Sequence, residues 1–497
     1  MLVCGGGLGG VAAALAAAER GARVVLSEET DWLGGQLTSQ AVPLDEHPWI
    51  EDFGCTARYR ALREAIRAHY RAHAPLTAAA AGRRDLNPGS ATVSRLSCEP
   101  RPALAVIDAL VDRLGIEVLR EHAPVAAHTG GDRIAAVTLR GPASERTVEA
   151  DWFVDATETG ELLPLAGAEH VTGAESREQT GEPHAAQTAD PLNMQPVTAC
   201  FAVDHLDGED HTIPRPPGYD ASRYSLTAPD PRTNEPVART LTPNPPGDPA
   251  AIGPDLADPS LDKELWLFRR IAARGNFAPG HLRSDITLVN WPQVDYTGGP
   301  VFGVPDAARH AAAARELSLG FLHWLQTEAG FPGLRLRGDV AGGTADGLAK
   351  ALYIRESRRI RGEATVLEHQ LGSHHPDTVG IGQYRIDLHP STGGDPYIDV
   401  ACPPFEIPLG ALIPLRIDNL LAGAKDIATT HVTNGAYRLH PVEWNVGEAA
   451  GHLAAFCTAR RTLPRAVRAD ATLLRDFQDE LKAAGVQLTW PPGVAAY

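Results

Sequence analysis

The opening thirty-five residues constrain this chain more than any other stretch. Leu2-Val3-Cys4 is a short apolar start, followed by Gly5-Gly6-Gly7-Leu8-Gly9-Gly10, an alanine-rich run, Arg23-Val24-Val25-Leu26, the acid Glu28 and then Gly34-Gly35. In order, these read as strand, tight glycine turn, helix from about Gly9 to Glu19, second strand and terminal acid. A doubly wound fold holds a dinucleotide with that local pattern. Gly5 permits the sharp turn, Gly7 lets backbone approach a pyrophosphate, and Gly10 lets the helix pack closely on the strand. The phosphates would lie at the amino end of the helix, beside Leu8 and Gly9, where free N–H groups and the macrodipole favour negative charge. Glu28 has the spacing of an acid that accepts hydrogen bonds from a ribose.

Three further segments narrow the dinucleotide. Glu29 leads into Trp32-Leu33-Gly34-Gly35-Gln36-Leu37-Thr38, an acid followed by a glycine pair, although a surface turn explains that pair equally well taken alone. Alternating strands at Pro124 to Ala127, Ile134 to Leu139 and Thr147 to Ala150, broken by the hairpin signal Gly130-Gly131-Asp132, lead to Val154-Asp155-Ala156-Thr157-Glu158-Thr159-Gly160. Near the far end, Asp418 to Asp426 reads as a strand and loop containing Gly423. An alanine-rich helix from Val446 to Ala455 follows.

With Arg355-Glu356-Ser357-Arg358-Arg359 and the run His431 to Arg438, these segments resemble the FAD-dependent oxidoreductases, which include uncharacterised bacterial proteins labelled xanthan lyase-like. The resemblance implies an α/β fold: a Rossmann-like, glutathione-reductase-type FAD-binding domain with an inserted α+β substrate domain. It implies FAD contacts at Gly5, Gly7, Leu8, Gly9, Gly10, Glu28, Glu29, Gly34, Gly35, Gln36, Ala156, Thr157, Gly423, Asp426 and Gly447. Asp426 would bind the ribityl chain, and the amino end of the last helix would face the flavin pyrimidine and stabilise negative charge there. The substrate is not implied, because such families share a scaffold rather than one reaction. Nothing in the chain resembles a carbohydrate-lyase site.

At 497 residues the chain is long enough for a flavin domain and a substrate domain. A hydrophobic content of 43% and 22% charged residues suit a globular protein, and a net charge of -17 argues against nucleic acid or an anionic membrane as partner. Arg355 to Arg361 is the one basic stripe, read as an ion-paired helix face. The six cysteines Cys4, Cys55, Cys98, Cys200, Cys402 and Cys457 form no CxxC, which supports neither a disulfide-exchange flavoenzyme nor a metal site and predicts a reducing, cytoplasmic setting. The chain begins on the nucleotide strand with no leader or long apolar span. That strand is short for such proteins, so whether the start is complete stays open, as does the oligomeric state.

The expected flavin domain is discontinuous, 1–175 plus 405–497, enclosing a substrate domain at 176–404 with a proline-rich excursion at 204–259. Helices are expected at Tyr59 to His73, Arg101 to Leu114, Asp262 to Ala273, Asp306 to Ala329 and Ala345 to Arg361. Strands are expected at Ile116 to Leu119, Asp285 to Asn290 and Gly380 to Leu388.

Flavin chemistry needs a substrate carbon over N5 and a group to carry a proton, for which histidine is the default. His431, Arg438 and His440 lie within ten positions and are the catalytic candidates. Arg438 could instead bind a phosphate, and His440 before Pro441 could fix a turn. The substrate-binding candidates are Trp291 and Tyr296 as stacking surfaces, Arg358, His389 at a strand end, and Asn434; core packing is the competing reading of the aromatics. Tyr384 shares the ambiguity of His389, and Cys55 is a neighbour of the flavin without a redox partner.

The leading expectation is an FAD-dependent oxidoreductase that transfers hydride between flavin and a small organic substrate bearing C–OH, C–N or an activated C=C. Oxygen or an unknown electron carrier would reoxidise it. The alternatives are an NAD(P)H-dependent flavin monooxygenase, for which Gly338-Asp339-Val340-Ala341-Gly342-Gly343 is a poor second nucleotide turn, and a non-catalytic flavin-binding subunit.

Overall fold

In the computed structural model, residues 1–249 and 263–497 are described. The part of the proline-rich excursion beyond residue 249, and the start of the helix expected from Asp262, lie outside the described residues.

The opening pattern folds as its residues dictate. Strand β1 (Leu2–Cys4) turns through Gly5, at φ +95°, into helix α1 (Leu8–Glu19), which returns to β2 (Val25–Glu28). The next two parallel strands are β3 (Glu117–Arg120) and β4 (Phe153–Asp155), and β5 (Leu420–Ala422) comes from the far end of the chain. Among the described residues these make one five-stranded sheet in the order β5-β4-β1-β2-β3, parallel throughout. Every strand residue of β1, β4 and β5 is buried, as sheets covered on both faces require.

The helix α2 (His440–Arg460) packs across α1. It starts six positions before the Val446 expected from sequence, because Pro441 fits a first turn and supplies no amide that would need a partner. The crossing is close because glycines line it. A Cβ on Gly447 would overlap the Gly9 carbonyl oxygen, and one on Gly9 would overlap that of Gly423.

The hairpin signal produces a three-stranded antiparallel meander, Ala123–Gly130, Arg133–Arg140 and Glu145–Glu149, with Gly131 at φ +60° in its first turn. Between the sequence positions of β4 and β5 lies a four-stranded antiparallel sheet, ordered Arg270–Ala272, Ile286–Val289, Phe201–His205 and Leu334–Leu336. Helix Ala307–Thr327 buries Phe321, Leu322 and Leu325 in the same apolar cluster as Phe201, Val289 and Leu334.

Three local expectations are corrected. The helix expected from Asp262 is one turn, Leu265–Phe268, followed by a strand. Gly380 to Leu388 is two strands, Thr378–Gly382 and Ile386–Leu388, which pair with different partners, Phe405–Pro408 and Ile398–Val400. Ala345 to Arg361 is not helical. Tyr353–Ile354 pairs with Val197–Thr198, and Arg359–Ile360 with His170–Val171. Arginines three and four apart imitate an ion-paired helix face, but long-range strand pairing overrides that preference.

Candidate active site

The carboxyl ends of β1, β2 and β4 converge on a cavity of about 410 Å³. Gly5, Gly7, Glu28, Glu29, Ala156 and Thr157, all expected cofactor contacts, line it, together with Glu158 and Glu161. Its opposite wall is Val301, Phe302, Lys350 and Leu352, from the middle of the chain. Ligands of open parallel sheets bind at this edge. Glu28 Oε2 accepts from the Gly6 amide at 3.0 Å, and Oε1 accepts from the Thr30 amide and hydroxyl at 2.9 and 2.7 Å. Burial pushes the Glu28 carboxyl up to about 7 against those hydrogen bonds.

The remaining cofactor candidates divide by role. Gly34 and Gly35 have positive φ, +107° and +48°, and the Gly34 amide donates to the Gly6 carbonyl at 2.7 Å, so the glycine pair folds over the phosphate turn. Leu8 and Gly9 open α1. Gly10 and Gly447 face backbone at close approach and Gly423 faces the Val154 side chain, which gives all three a packing reason. Gln36 is fully buried and donates to the Arg438 carbonyl at 2.9 Å and to Glu443, while its Oε1 has no partner. Asp426 accepts from the Ala424 amide at 3.0 Å, and its second oxygen is also unpartnered. Burial next to Asp155 holds the Asp426 carboxyl well above its ordinary range.

The expected FAD fits these residues. A Cβ on Gly7 would meet the carboxylate ends of Glu158 and Glu443, at 3.0 and 3.3 Å, before any backbone atom, so the turn is a cradle that side-chain ends and not backbone close. Orphaned polar atoms of Gln36 and Asp426 mark the same region as short of partners from the protein itself.

The catalytic candidates are brought within one buried region but not into one role. Arg438 donates to the Tyr353 hydroxyl at 2.9 Å and to Asp387 Oδ2 at 2.7 Å. His440 has both ring nitrogens taken by backbone: Nδ1 accepts from the Asp45 amide at 3.0 Å, and Nε2 lies 3.3 Å from the Val42 carbonyl. Burial pushes its pKa down to about 3, so the ring is neutral and fixes the Val42 to Asp45 loop. His431 pairs with Glu356 at 2.9 Å, and Glu356 also binds Arg359, which reaches Glu175 at 2.9 Å. That is a buried ion network tying three chain segments together.

The network titrates with stability. Burial lowers the His431 pKa, but the charge and hydrogen bond of Glu356 outweigh it and leave the pKa raised. A raised folded-state pKa stabilises below the unfolded value, about 6.5, and that stabilisation is lost as pH rises through the folded value. The advantage of wild type over His431→Gln, read by urea unfolding between pH 6 and 9, is therefore expected to shrink with pH. A constant or growing advantage contradicts the pairing.

The substrate candidates separate further. Trp291, expected as a stacking surface, is instead core: it is 1% exposed and set edge-on to Phe321 with centroids 6.1 Å apart. Tyr296 is buried, and its hydroxyl meets His310 Nδ1 at 2.8 Å. Arg358 lies over the Phe302 ring at 4.7 Å and donates to the Thr159 carbonyl at 2.7 Å, bracing the cavity rim. Asn434 donates to the Arg355 carbonyl at 3.0 Å. Cys55 lies 3.4 Å from an Arg60 nitrogen, and burial pushes its thiol up to about 11, far from a reactive thiolate.

His389 has the most suggestive surroundings. Its Nδ1 lies 2.6 Å from Asp295 Oδ2 and 3.0 Å from the Tyr397 hydroxyl, and its Nε2 lies 3.6 Å from Asp387 Oδ2. Burial raises the Asp295 carboxyl, but Arg355 at 2.8 Å and His389 outweigh it and hold the group below its ordinary range. The His389 side chain is 16% exposed where Asp295 is 5%. Asp295, Asp387, Lys425, Glu158 and Glu443 have no assigned role in the sequence reading. Tyr353 and Asp45 carried no spacing signal.

Gly338–Ala341, the poor second nucleotide turn, is a four-residue helix after an antiparallel strand, unlike the parallel strand that such a turn follows. Among the described residues no helix is long and apolar enough to cross a membrane. Among the same residues no group of three His, Cys, Asp or Glu side chains is placed to hold a metal ion.

No curated protein matches the chain. Solved structures overlap it in part. BexE, of BE-7585A biosynthesis, shares 21% identity over 49% of this chain and 46% of its own, with a TM-score of 0.25. OxyS anhydrotetracycline hydroxylase from Streptomyces rimosus shares 20% over 42% and 38%, with a TM-score of 0.23. CabE, an aromatic hydroxylase from angucycline biosynthesis, shares 18% over 49% and 46%, with a TM-score of 0.26. The chain spans under half the length of each, and overlap this slight carries neither reaction nor substrate across. The family model described as FAD dependent oxidoreductase matches residues 1–481, and with the cradle above it establishes that this chain belongs to that family and is an enzyme whose cofactor is FAD.

Proposed function

We propose that this enzyme transfers hydride between FAD and a small organic substrate bearing C–OH, C–N or an activated C=C, in the cytoplasm. The proposed scaffold is a glutathione-reductase-type FAD domain, 1–175 plus 405–497, with 176–404 as the inserted substrate domain. One observation carries the reading: buried polar contacts lead from the turn after the glycine pair to a carboxylate-bound histidine. Gln36 contacts Arg438, Arg438 holds Asp387, and Asp387 flanks His389, which Asp295 orients.

When bound, FAD supplies a two-electron acceptor for hydride at N5. The protein supplies the rest. Ionised Asp295 accepts the Nδ1 proton of His389 and leaves Nε2 free to take a proton, while the Asp387 charge stabilises the imidazolium formed. With an alcohol as substrate, His389 Nε2 would take the hydroxyl proton as the carbon is oxidised to the carbonyl. Arg438, held by Asp387 and Tyr353, orients the substrate's polar groups. The proposed electron acceptor is oxygen or an unknown electron carrier.

Anaerobic bleaching of the flavin band by a panel of alcohols, sugars and amines tests the reaction. One chemical class is expected to bleach it at a rate above background. No bleaching by the panel together with rapid bleaching by NADPH would overturn the reading in favour of a monooxygenase.

A further inference from the structure

We infer that Glu443 and Glu158 are placeholders for the FAD pyrophosphate, that Lys425 is its phosphate counter-ion, and that loading FAD draws a proton onto Glu443. The inference rests on FAD as the cofactor and concerns how this chain admits it. Glu443 Oε1 accepts from the Gly9 amide at 3.2 Å, filling the anion position at the head of α1. Lys425 Nζ, 2% exposed as a residue, bridges Glu158 Oε2 at 2.6 Å and Glu443 Oε2 at 3.3 Å. Both carboxylates press on the bare face of Gly7 that a pyrophosphate would approach. Gln36, whose Oε1 has no partner, closes the same cluster.

One ammonium between two carboxylates leaves an excess of negative charge, which the Gly9 and Gln36 N–H donors and the partial exposure of Glu158 make tolerable. Adding the two negative phosphate groups is not tolerable, because like charges at such distances in a buried site are strongly unfavourable. Lys425 can turn to the phosphates only if one carboxylate gives up its charge or its place. Glu443 is the better candidate for protonation. It is 1% exposed, and burial raises its carboxyl, with Glu158 adding to the effect and Lys425 opposing it. The charged groups facing it are Lys425 and Glu158, and His440 on its own helix is neutral. Neither Glu158 nor Lys425 was singled out in sequence, since each reads as an ordinary loop charge.

The test uses full-length apoprotein titrated with FAD. Calorimetry in phosphate and in Tris at pH 7.5 is expected to show uptake of about one proton per FAD, and flavin-fluorescence titration a Kd that rises with pH, by at most about tenfold per unit. Glu443→Gln is expected to abolish the uptake, flatten the pH dependence and tighten binding at pH 8.5. Glu158→Gln, should the first variant not fold, is expected to lessen both effects. Lys425→Met is expected to weaken FAD binding at every pH. Equal proton uptake and equal pH dependence in wild type and Glu443→Gln overturn the proton claim, and unchanged affinity in Lys425→Met overturns the counter-ion assignment. No FAD binding at any pH would instead remove the cofactor reading beneath both.

Discussion

Replacing Gly447 by valine is expected to abolish folded, flavin-loaded protein. The added Cβ would overlap the carbonyl oxygen of Gly9, with that residue's carbonyl carbon and Cα also inside contact distance, so no side chain can move aside. Relief requires α2 to lift off α1, and Gly451, whose own Cβ would overlap the Ala13 carbonyl oxygen, shows that the close contact continues for another turn. Overpacking that side chains can absorb costs about 1–3 kcal/mol. Backbone against backbone exceeds that range, against a total stability of roughly 5–15 kcal/mol for a whole domain. Soluble yield, bound flavin absorbance and the urea midpoint are the readouts. Gly130→Ala, where a Cβ meets nothing within 4 Å, is the control and is expected to behave as wild type. A folded Gly447→Val protein with the wild-type midpoint would contradict the helix crossing.

Replacing His389 by asparagine is expected to slow substrate-driven flavin reduction by about 10²–10⁴-fold, the usual contribution of a positioned general base. Flavin content should stay unchanged, because His389 touches neither the glycine turn nor the cavity lining. Asp295→Asn should produce a smaller loss of rate, since Asp295 orients His389 at 2.6 Å without accepting the substrate proton, together with a lower urea midpoint, since it leaves the buried Arg355 without its carboxylate. Wild-type reduction rates in His389→Asn would remove this residue from the reaction.

The sequence showed the cofactor half of the site more clearly than the substrate half. Gly5, Gly7 and Glu28 follow from spacing within one short segment and Ala156 and Thr157 from the family resemblance, and all line one cavity. Their positions follow from local geometry: a turn needing positive φ, a helix start, an acid at a strand end. His389 and Asp295 meet across 94 positions of chain and Arg438 and Asp387 across 51, and no local periodicity encodes either pairing. The same limit explains Arg355 and Arg359. Their spacing reads as a helix face, whereas their actual partners, Asp295 and Glu175, come from other segments.

By itself, then, the chain's residue order determined the strand-turn-helix unit and the parallel strand that follows it, with glycines and an acid at the cavity on their edge, because glycine sterics and helix-end charge act over a few residues. The tertiary structure decided which buried charges face one another: that His440 is locked by backbone, that His431 serves an ion network, that Trp291 is core, and that Lys425 lies between two carboxylates. Long-range packing makes those choices. Desolvation forces each buried charge to find a partner, and only the folded chain determines which partners are within reach.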